Sequence, residues 1–296
     1  MNVLITGATG FIGSNLAKAL FDSGHKISLL VRPSSDLSGL SIGKKELSIH
    51  IYDGSYSSIS KALSQDNIDL VIHCASLFLS SHREEDVERL IDSNIKFPSM
   101  LLESMVQHGV HKFINTGTSW QHYNDESYNP VNLYAATKQA FDDIVRYYLE
   151  VNSIACITLK LFDTYGPNDG RGKLIGFLIK QIKEGGHVDM SPGEQEISLV
   201  HIDDVVTAYK LAIKELLGLK KGSSREYGIC SADTYKLRVL IKTIIKECNS
   251  DIPLHVNFGG FNYRDREVMT LWQSYKKMPD WSEKNNVVDF ILKEVQ

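Results

Sequence analysis

The chain alternates short apolar runs with stretches whose apolar residues recur every three or four positions. Val3-Leu4-Ile5 is the first run; Ile12, Leu16, Ala19 and Leu20 then repeat at helical spacing until Gly24. Runs over 26–31, 47–52, 69–74, 112–115 and 155–161 have the length of strands, and 69–74 is apolar enough to be buried on both faces. Helical patterns lie between them, one carrying Leu90, Ile91, Leu101 and Leu102, another Phe141, Ile144, Val145 and Tyr148. This alternation predicts an α/β fold built on a doubly wound parallel sheet. Farther on, 174–182 reads as an amphipathic helix, 197–201 as a strand, and 205–217 and 236–248 as helices. The Gly/Lys/Ser stretch 218–224 reads as a surface turn. Residues 1–165 are expected to form the sheet domain, with a return segment near 197–215, and 166–296 mainly a smaller α/β C-terminal lobe.

The first strand runs into Thr6-Gly7-Ala8-Thr9-Gly10-Phe11-Ile12-Gly13 and then a helix. Gly7 allows the tight turn, Gly10 lets backbone approach a pyrophosphate, and Gly13 lets helix and strand pack closely. The helix N-terminus adds N–H groups and partial positive charge. The strand at 26–31 ends in Arg32-Pro33-Ser34-Ser35, with no acid to hold ribose hydroxyls. A guanidinium with nearby serines suits a 2′-phosphate, which favours NADP(H) over NAD(H). Asp53-Gly54 ends the third strand, where a carboxylate could accept from an adenine amino group. Cys74-Ala75-Ser76 are small residues at the carboxyl edge, where cofactors lie in such sheets. Asn94, taken alone, reads as a polar helix group.

Tyr134 and Lys138 are four apart at the start of a helical run, on one side of it. An ammonium beside a phenol favours the phenolate, as does the positive end of a helix. A tyrosine so placed could give a proton to a carbonyl oxygen or take one from an alcohol.

Composition narrows the classes without choosing among them. The net charge of -4 leaves no basic footprint for nucleic acid or an anionic membrane. Nothing resembles a signal peptide, and no apolar stretch approaches the roughly 20 residues that span a bilayer. Cys74, Cys156, Cys230 and Cys248 form no CxxC, which fits a reducing, cytoplasmic compartment. No metal site is expected.

Gly7-x-x-Gly10-x-x-Gly13, the hydroxyl cluster Thr116-Gly117-Thr118-Ser119 and Tyr134-x-x-x-Lys138 stand in a distinctive order. They are followed by Tyr165-Gly166-Pro167 and Val200-His201-Ile202-Asp203-Asp204-Val205. Over its whole length the chain resembles the extended short-chain dehydrogenase/reductases. The resemblance implies a Rossmann domain, a nucleotide-sugar-binding lobe, and a catalytic group of Thr118, Tyr134 and Lys138. In it Thr118 polarises a substrate carbonyl, Thr116 lies near the cofactor, and Lys138 also binds the nicotinamide ribose. It further implies cofactor contacts at Thr9, Phe11, Ile12, Asp53, Gly54, Asn94 and Leu161, and substrate contacts at Asp163, Lys173 and Arg264. The partner would be a nucleotide-sugar, and many members dimerise through two helices; those after Asn94 and Tyr134 are the candidates for a homodimer.

The chain departs from the pattern in two places. Ile197 stands where an arginine often reaches the diphosphate, and Gln121-His122-Tyr123 replaces Val-Tyr-Gly. Three family chemistries compete. A 4,6-dehydratase needs an acid and a base right after the threonine, and Ser119-Trp120 stands there instead. An epimerase-reductase would carry cysteine at Trp120. A 4-epimerase keeps NAD, which the missing acid disfavours but leaves open. The expectation is NADPH-dependent reduction of a 4-keto sugar attached to a nucleoside diphosphate. The nearest flavour is that of the CDP-abequose and CDP-paratose synthase branch, through Gly193-Glu194-Gln195 and Arg264-Asp265-Arg266-Glu267. A reading of another class is a dinucleotide-binding regulator without catalysis.

Overall fold

The computed structural model describes residues 1–248 and 254–296. Strand β1 (Asn2–Thr6) shows how the sheet is built. Val3 and Ile5 point to one face and Leu4 to the other, and all three are fully buried. Such a strand needs cover on both sides. On the Val3 and Ile5 side lie α1 (Phe11–Asp22) and α7 (Ile202–Gly218), which bring Leu16, Ala17, Leu20, Val205, Ala208, Tyr209 and Ala212. On the Leu4 side lie α2 (Tyr56–Gln65), α4 (Phe97–Gln107) and α5 (Leu133–Glu150), with Ile59, Leu63, Leu101, Met105, Phe141 and Val145. The short α3 (Asp86–Ile91) runs into α4 through a wider helical turn over 92–96.

The remaining strands of this sheet are β2 (Lys26–Val31), β3 (Ser48–Ile51), β4 (Leu70–His73), β5 (Lys112–Thr118), β6 (Ala155–Leu161) and β10 (Ser224–Ile229). The order is β10-β6-β5-β4-β1-β2-β3, parallel throughout. Strand order reverses between β1 and β4, and this switch point opens a crevice at the strands' carboxyl ends. The chain is a doubly wound α/β protein.

A smaller lobe follows β7 (Asp163–Tyr165), which pairs with β9 (Glu196–His201) and not with the large sheet. Helices α6 (Leu174–Glu184), α8 (Leu237–Cys248) and α9 (Val287–Val295) enclose its core with Leu178, Ile182, Leu240, Ile241, Ile244 and Ile291. Strands β8 (Gly186–Met190) and β12 (Leu254–Phe258) pair beside it, and β11 (Thr234–Lys236) extends the β7–β9 sheet.

Two elements revise the sequence reading. The expected turn over 218–224 is present at 219–223 and leads directly into β10, so the return to the large sheet extends to 229. Its residues Ser224, Arg225 and Glu226 are exposed polar groups on an edge strand, which hides the strand pattern. Strand β5 runs three residues beyond 115 and delivers Thr118 at the sheet's end. Among the described residues, no helix is long and apolar enough to cross a membrane.

Candidate active site

Gly7 turns the chain at φ +70°, and a Cβ there would lie 2.5 Å from the Ala75 nitrogen. The turn therefore abuts the segment leaving β4. Gly10 donates its N–H to the Gly7 carbonyl (3.0 Å) and opens α1. Beside the turn lies a cavity of about 640 Å³, inside the usual range for ligand sites, roughly 300–1,000 Å³. Gly7, Thr9, Gly10, Arg32, Gly54, Cys74, Ala75 and Ser76 all line it. A glycine cradle at a helix N-terminus suits a diphosphate, and the volume suits a dinucleotide. Arg32 sits at the far end with Ser35, whose hydroxyl accepts from the Arg32 N–H (3.1 Å). Arg89 and Lys96 also line that end, which the sequence reading missed; both are exposed helix cations.

Other expected cofactor residues stand behind the cavity. Gly13 packs on the turn itself, where a Cβ would meet the Gly7 oxygen at 2.3 Å. Ile12 packs against the core, Phe11 lies under the Arg171 guanidinium at 4.2 Å, and Leu161 is buried at the end of β6. The Asp53 carboxylate accepts from the N–H and hydroxyl of Ser55 (2.9 and 2.6 Å), which hold it below its ordinary range. Asn94 is fully engaged: it accepts from Leu77 N–H (2.8 Å) and Ser76 hydroxyl (3.1 Å) and donates to Leu77 oxygen and Thr137 hydroxyl. It shapes the Ser76–Leu77 segment and has no capacity left for a ligand. Thr116 bonds the Tyr209 phenol at 2.6 Å, on the α7 side of the sheet.

Helix α5 begins at Asn132, whose side chain accepts from the Ala135 N–H (2.9 Å) and donates to the Leu79 and Ser80 carbonyls. This cap fixes Tyr134 in the first turn and Lys138 in the next, both on the buried face with Phe141 and Val145. At the end of β5, Thr118 is held by a capping box: its hydroxyl accepts from Trp120 N–H and the Gln121 side chain accepts from Thr118 N–H (3.1 Å). The Tyr134 phenol meets the hydroxyls of Ser76 and Thr118, with the Phe78 ring edge-on at 5.0 Å. It thus joins a wall of the first cavity to the end of β5.

The electrostatics correct one expectation. Burial pushes Tyr134 up to about 12, and its hydroxyl partners recover only part of that. Burial brings Lys138 down to about 8, with Asp142 and Cys74 pulling it back up. Removal from water dominates, and Lys138 is not among the groups that shift the phenol, so the expected acidification by its amine neighbour does not appear.

Beyond Thr118 lies a second cavity of about 230 Å³, lined by Ser119, Trp120, Asp163 and Arg264 among others. Arg264 forks the Glu267 carboxylate (3.0 and 2.6 Å) and lies 5.4 Å from the Trp120 ring. Lys173 sits at the margin, 3.8 Å from Asp163 and 3.9 Å from the Phe78 ring centre. Ile197 lines this cavity, so the position expected to carry an arginine presents an apolar side chain. His122, stacked on Trp272 at 3.9 Å, also lines it; sequence reading missed both as wall residues. Trp272 lies in a stretch without helix or strand, where no periodicity marks it. Among the described residues, no three His, Cys, Asp or Glu side chains are grouped to hold a metal.

A sequence profile described as the NAD dependent epimerase/dehydratase family matches residues 3–228. The chain is 28% identical to a CDP-abequose synthase of Yersinia pseudotuberculosis over 298 residues, covering 100% of both. It is 29% identical to a CDP-abequose synthase of Salmonella muenchen, covering 90% of this chain and 87% of that one. Among solved structures it is similar to the UDP-glucose 4-epimerase of Thermotoga maritima with UDP-glucose (TM-score 0.84, 20% identity, 100% and 97% covered). The Thermus thermophilus UDP-glucose 4-epimerase complex with NAD gives a TM-score of 0.79 at 20% identity, with 100% and 98% covered. These likenesses carry the fold.

Proposed function

The chain belongs to the NAD-dependent epimerase/dehydratase family, the extended short-chain dehydrogenase/reductases, and from that we propose that it is an NADPH-dependent nucleotide-sugar 4-ketoreductase. Its substrate is a nucleoside-diphosphate 6-deoxy or 3,6-dideoxy hexulose, and its setting is surface-polysaccharide sugar biosynthesis. The observation that carries the reading is the place of Tyr134, its phenol beside the Ser76 hydroxyl on the dinucleotide side and the Thr118 hydroxyl on the side of the second cavity. The similarity to two CDP-abequose synthases supports the substrate class.

The residues divide the work as follows. A reduced nicotinamide dinucleotide, when bound, supplies the hydride. Gly7, Gly10 and the α1 N-terminus hold its diphosphate, and Arg32 with Ser35 receives a 2′-phosphate, which favours NADP(H). Thr118 donates a hydrogen bond to the substrate's carbonyl oxygen, and Tyr134 delivers the proton to that oxygen as it becomes an alkoxide. With its phenol pushed up to about 12, Tyr134 carries that proton throughout the neutral range. The Lys138 cation favours negative charge developing on the phenol and binds the nicotinamide ribose. Arg264 and Lys173 take the substrate's diphosphate, Arg264 by exchanging the Glu267 carboxylate for phosphate oxygens. Four free thiols fit a cytoplasmic enzyme, and α4 and α5, where Tyr147 and Val151 are exposed, are the helices for a homodimer.

The test is NADPH consumption with 4-keto-6-deoxy sugars carried on CDP, UDP, dTDP and GDP. Turnover with one of them, lost in Tyr134→Phe while NADPH still binds, is the expected result. Protein that is isolated with NAD and interconverts sugar epimers without added cofactor would establish the 4-epimerase instead. Inactivity on the whole panel with NADPH bound would leave a non-catalytic dinucleotide-binding protein.

A further inference from the structure

Behind the catalytic group lies a buried polar network that the reaction as described does not use. Asp142 stands one turn beyond Lys138 on α5. Its Oδ1 accepts from the Asn115 amide (2.8 Å) and its Oδ2 from the Gln121 amide (2.7 Å). The same Gln121 accepts from the Thr118 N–H at 3.1 Å. Lys160, 3% exposed, places its ammonium 3.9 Å from Asp142 and 3.1 Å from Glu226 and donates to His122 Nε2 at 2.8 Å. His122 donates through Nδ1 to the Glu126 carbonyl (3.0 Å), which fixes it as the neutral tautomer stacked on Trp272. The carboxylate therefore stands between both sides of the site: it lies one turn from Lys138 along the helix and, through one amide, holds the backbone of Thr118.

We propose that Asp142 is a positioning residue for Thr118 and Lys138, fixing the threonine through Gln121 and supplying the counter-charge that keeps the lysine an ammonium. The proposal rests on the assignment of these residues as the catalytic group. Coulomb attraction between a buried carboxylate and an ammonium one turn away is weakly screened. A purely structural alternative is that Asp142 exists only to neutralise Lys160. The titratable groups around Lys138 are Tyr134 and Asp142 on its own helix and His73 and Cys74 at the end of β4. Lys160 on β6 and Glu226 on β10 face Asp142 from the other side. Of these groups, Asp142 is the largest influence holding Lys138 protonated.

The experiment uses the full chain labelled with 13C at lysine Cε, and the resonance lost in Lys138→Met identifies Lys138. Its titration midpoint is measured in the parent, in Asp142→Asn and in Asp142→Asn/Lys160→Met. The double variant removes the cation that a lone Asp142→Asn would leave poorly paired, so a folding defect in the single variant does not end the test. An opposite charge one helical turn away favours the ammonium, so the midpoint should fall by about one unit in both variants. The alkaline limb of kcat should move to lower pH by the same amount, with KM near the parent value. An unchanged midpoint in the double variant, or native kcat across the pH range, overturns the proposal and leaves Asp142 as the partner of Lys160. If the parent turns over no 4-keto nucleotide sugar, the reductase reading fails, while the resonance still decides the role of Asp142.

Discussion

Replacing Lys138 by methionine removes a buried cation while keeping most of the side chain's length. Lys138 is 3% exposed, and burial brings it from an ordinary 10.5 down to about 8. At 1.36 kcal/mol per pH unit, this corresponds to about 3 kcal/mol of folding free energy opposing the charged lysine. Between pH 8 and 10.5 the unfolded chain keeps a proton on this lysine that the folded chain has released. Stability therefore rises with pH across that window. Below pH 8 the whole burden is present, and above 10.5 it is gone. The variant has no such titration, and Asp142 keeps Asn115, Gln121 and Lys160 around it. Lys138→Met should be more stable than the parent at pH 7 by up to about 3 kcal/mol, less whatever packing the thioether fails to recover. The difference should shrink toward zero by pH 10.5. Urea unfolding of the two proteins in parallel, followed by tryptophan fluorescence across this pH series, measures it. Comparing the pair cancels the other groups that titrate in the same range. A stability difference that stays constant with pH, or grows in the variant's favour as pH rises, would refute the claim that Lys138 is held against burial.

Four further outcomes follow from the geometry. Tyr134→Phe deletes the proton donor and should lower turnover by roughly 10²–10⁴-fold, with NADPH affinity measured by fluorescence changing little. Gly13→Ala drives a methyl group into the Gly7 carbonyl at 2.3 Å and the Ala8 Cα at 2.9 Å, both backbone. It should cost about 1–3 kcal/mol in thermal unfolding and weaken the stabilisation that NADPH confers. Arg32→Glu reverses the charge at the far end of the dinucleotide cavity; NADPH should bind at least tenfold more weakly, whereas NADH affinity should hold or improve. Arg264→Met should raise KM for the nucleotide-sugar about tenfold with a smaller change in kcat, since the proposed role of its fork is to hold the diphosphate and not the reacting carbonyl.

The legibility of the site in the sequence tracks how locally each residue is determined. Gly7, Gly10 and Gly13 answer to backbone geometry within one turn, so their spacing alone announces a cradle. Tyr134 and Lys138 share a helix face for the same reason. Asn94 shows the limit: it lies near the cavity in sequence order, yet hydrogen bonds to Leu77, Ser76 and Thr137 consume its polar atoms, and at Asp53 Ser55 takes up Oδ1. Partners brought together by the fold cannot be read from spacing. Trp272 reaches His122 from 150 residues away through a segment without regular structure. Strand β10 escapes the pattern because an edge strand with exposed polar residues lacks the apolar run that identifies its neighbours.

The direction of the proposed chemistry follows from which acids stand near the carbonyl. Asp163, Glu196 and Glu267 are the carboxylates lining the second cavity. Glu267 is held in the fork of Arg264, Asp163 lies 3.8 Å from Lys173, and Glu196 accepts from the Leu271 N–H at 3.1 Å. Each of the three is thus engaged with a partner of its own. Ser119 and Trp120, immediately after Thr118, add no acid or base. Elimination of water needs an acid for the leaving hydroxyl and a base for the carbon acid, and no such pair follows Thr118. Tyr134 is the opposite case: burial keeps its proton on until about pH 12, so the phenol waits loaded. A group in that state can give its proton to an alkoxide as it forms, and the phenolate left behind is the base that the reverse, oxidative step requires. The protonated phenol is the form from which the proposed reduction would start, whereas an epimerase cycle would have to begin with the phenolate.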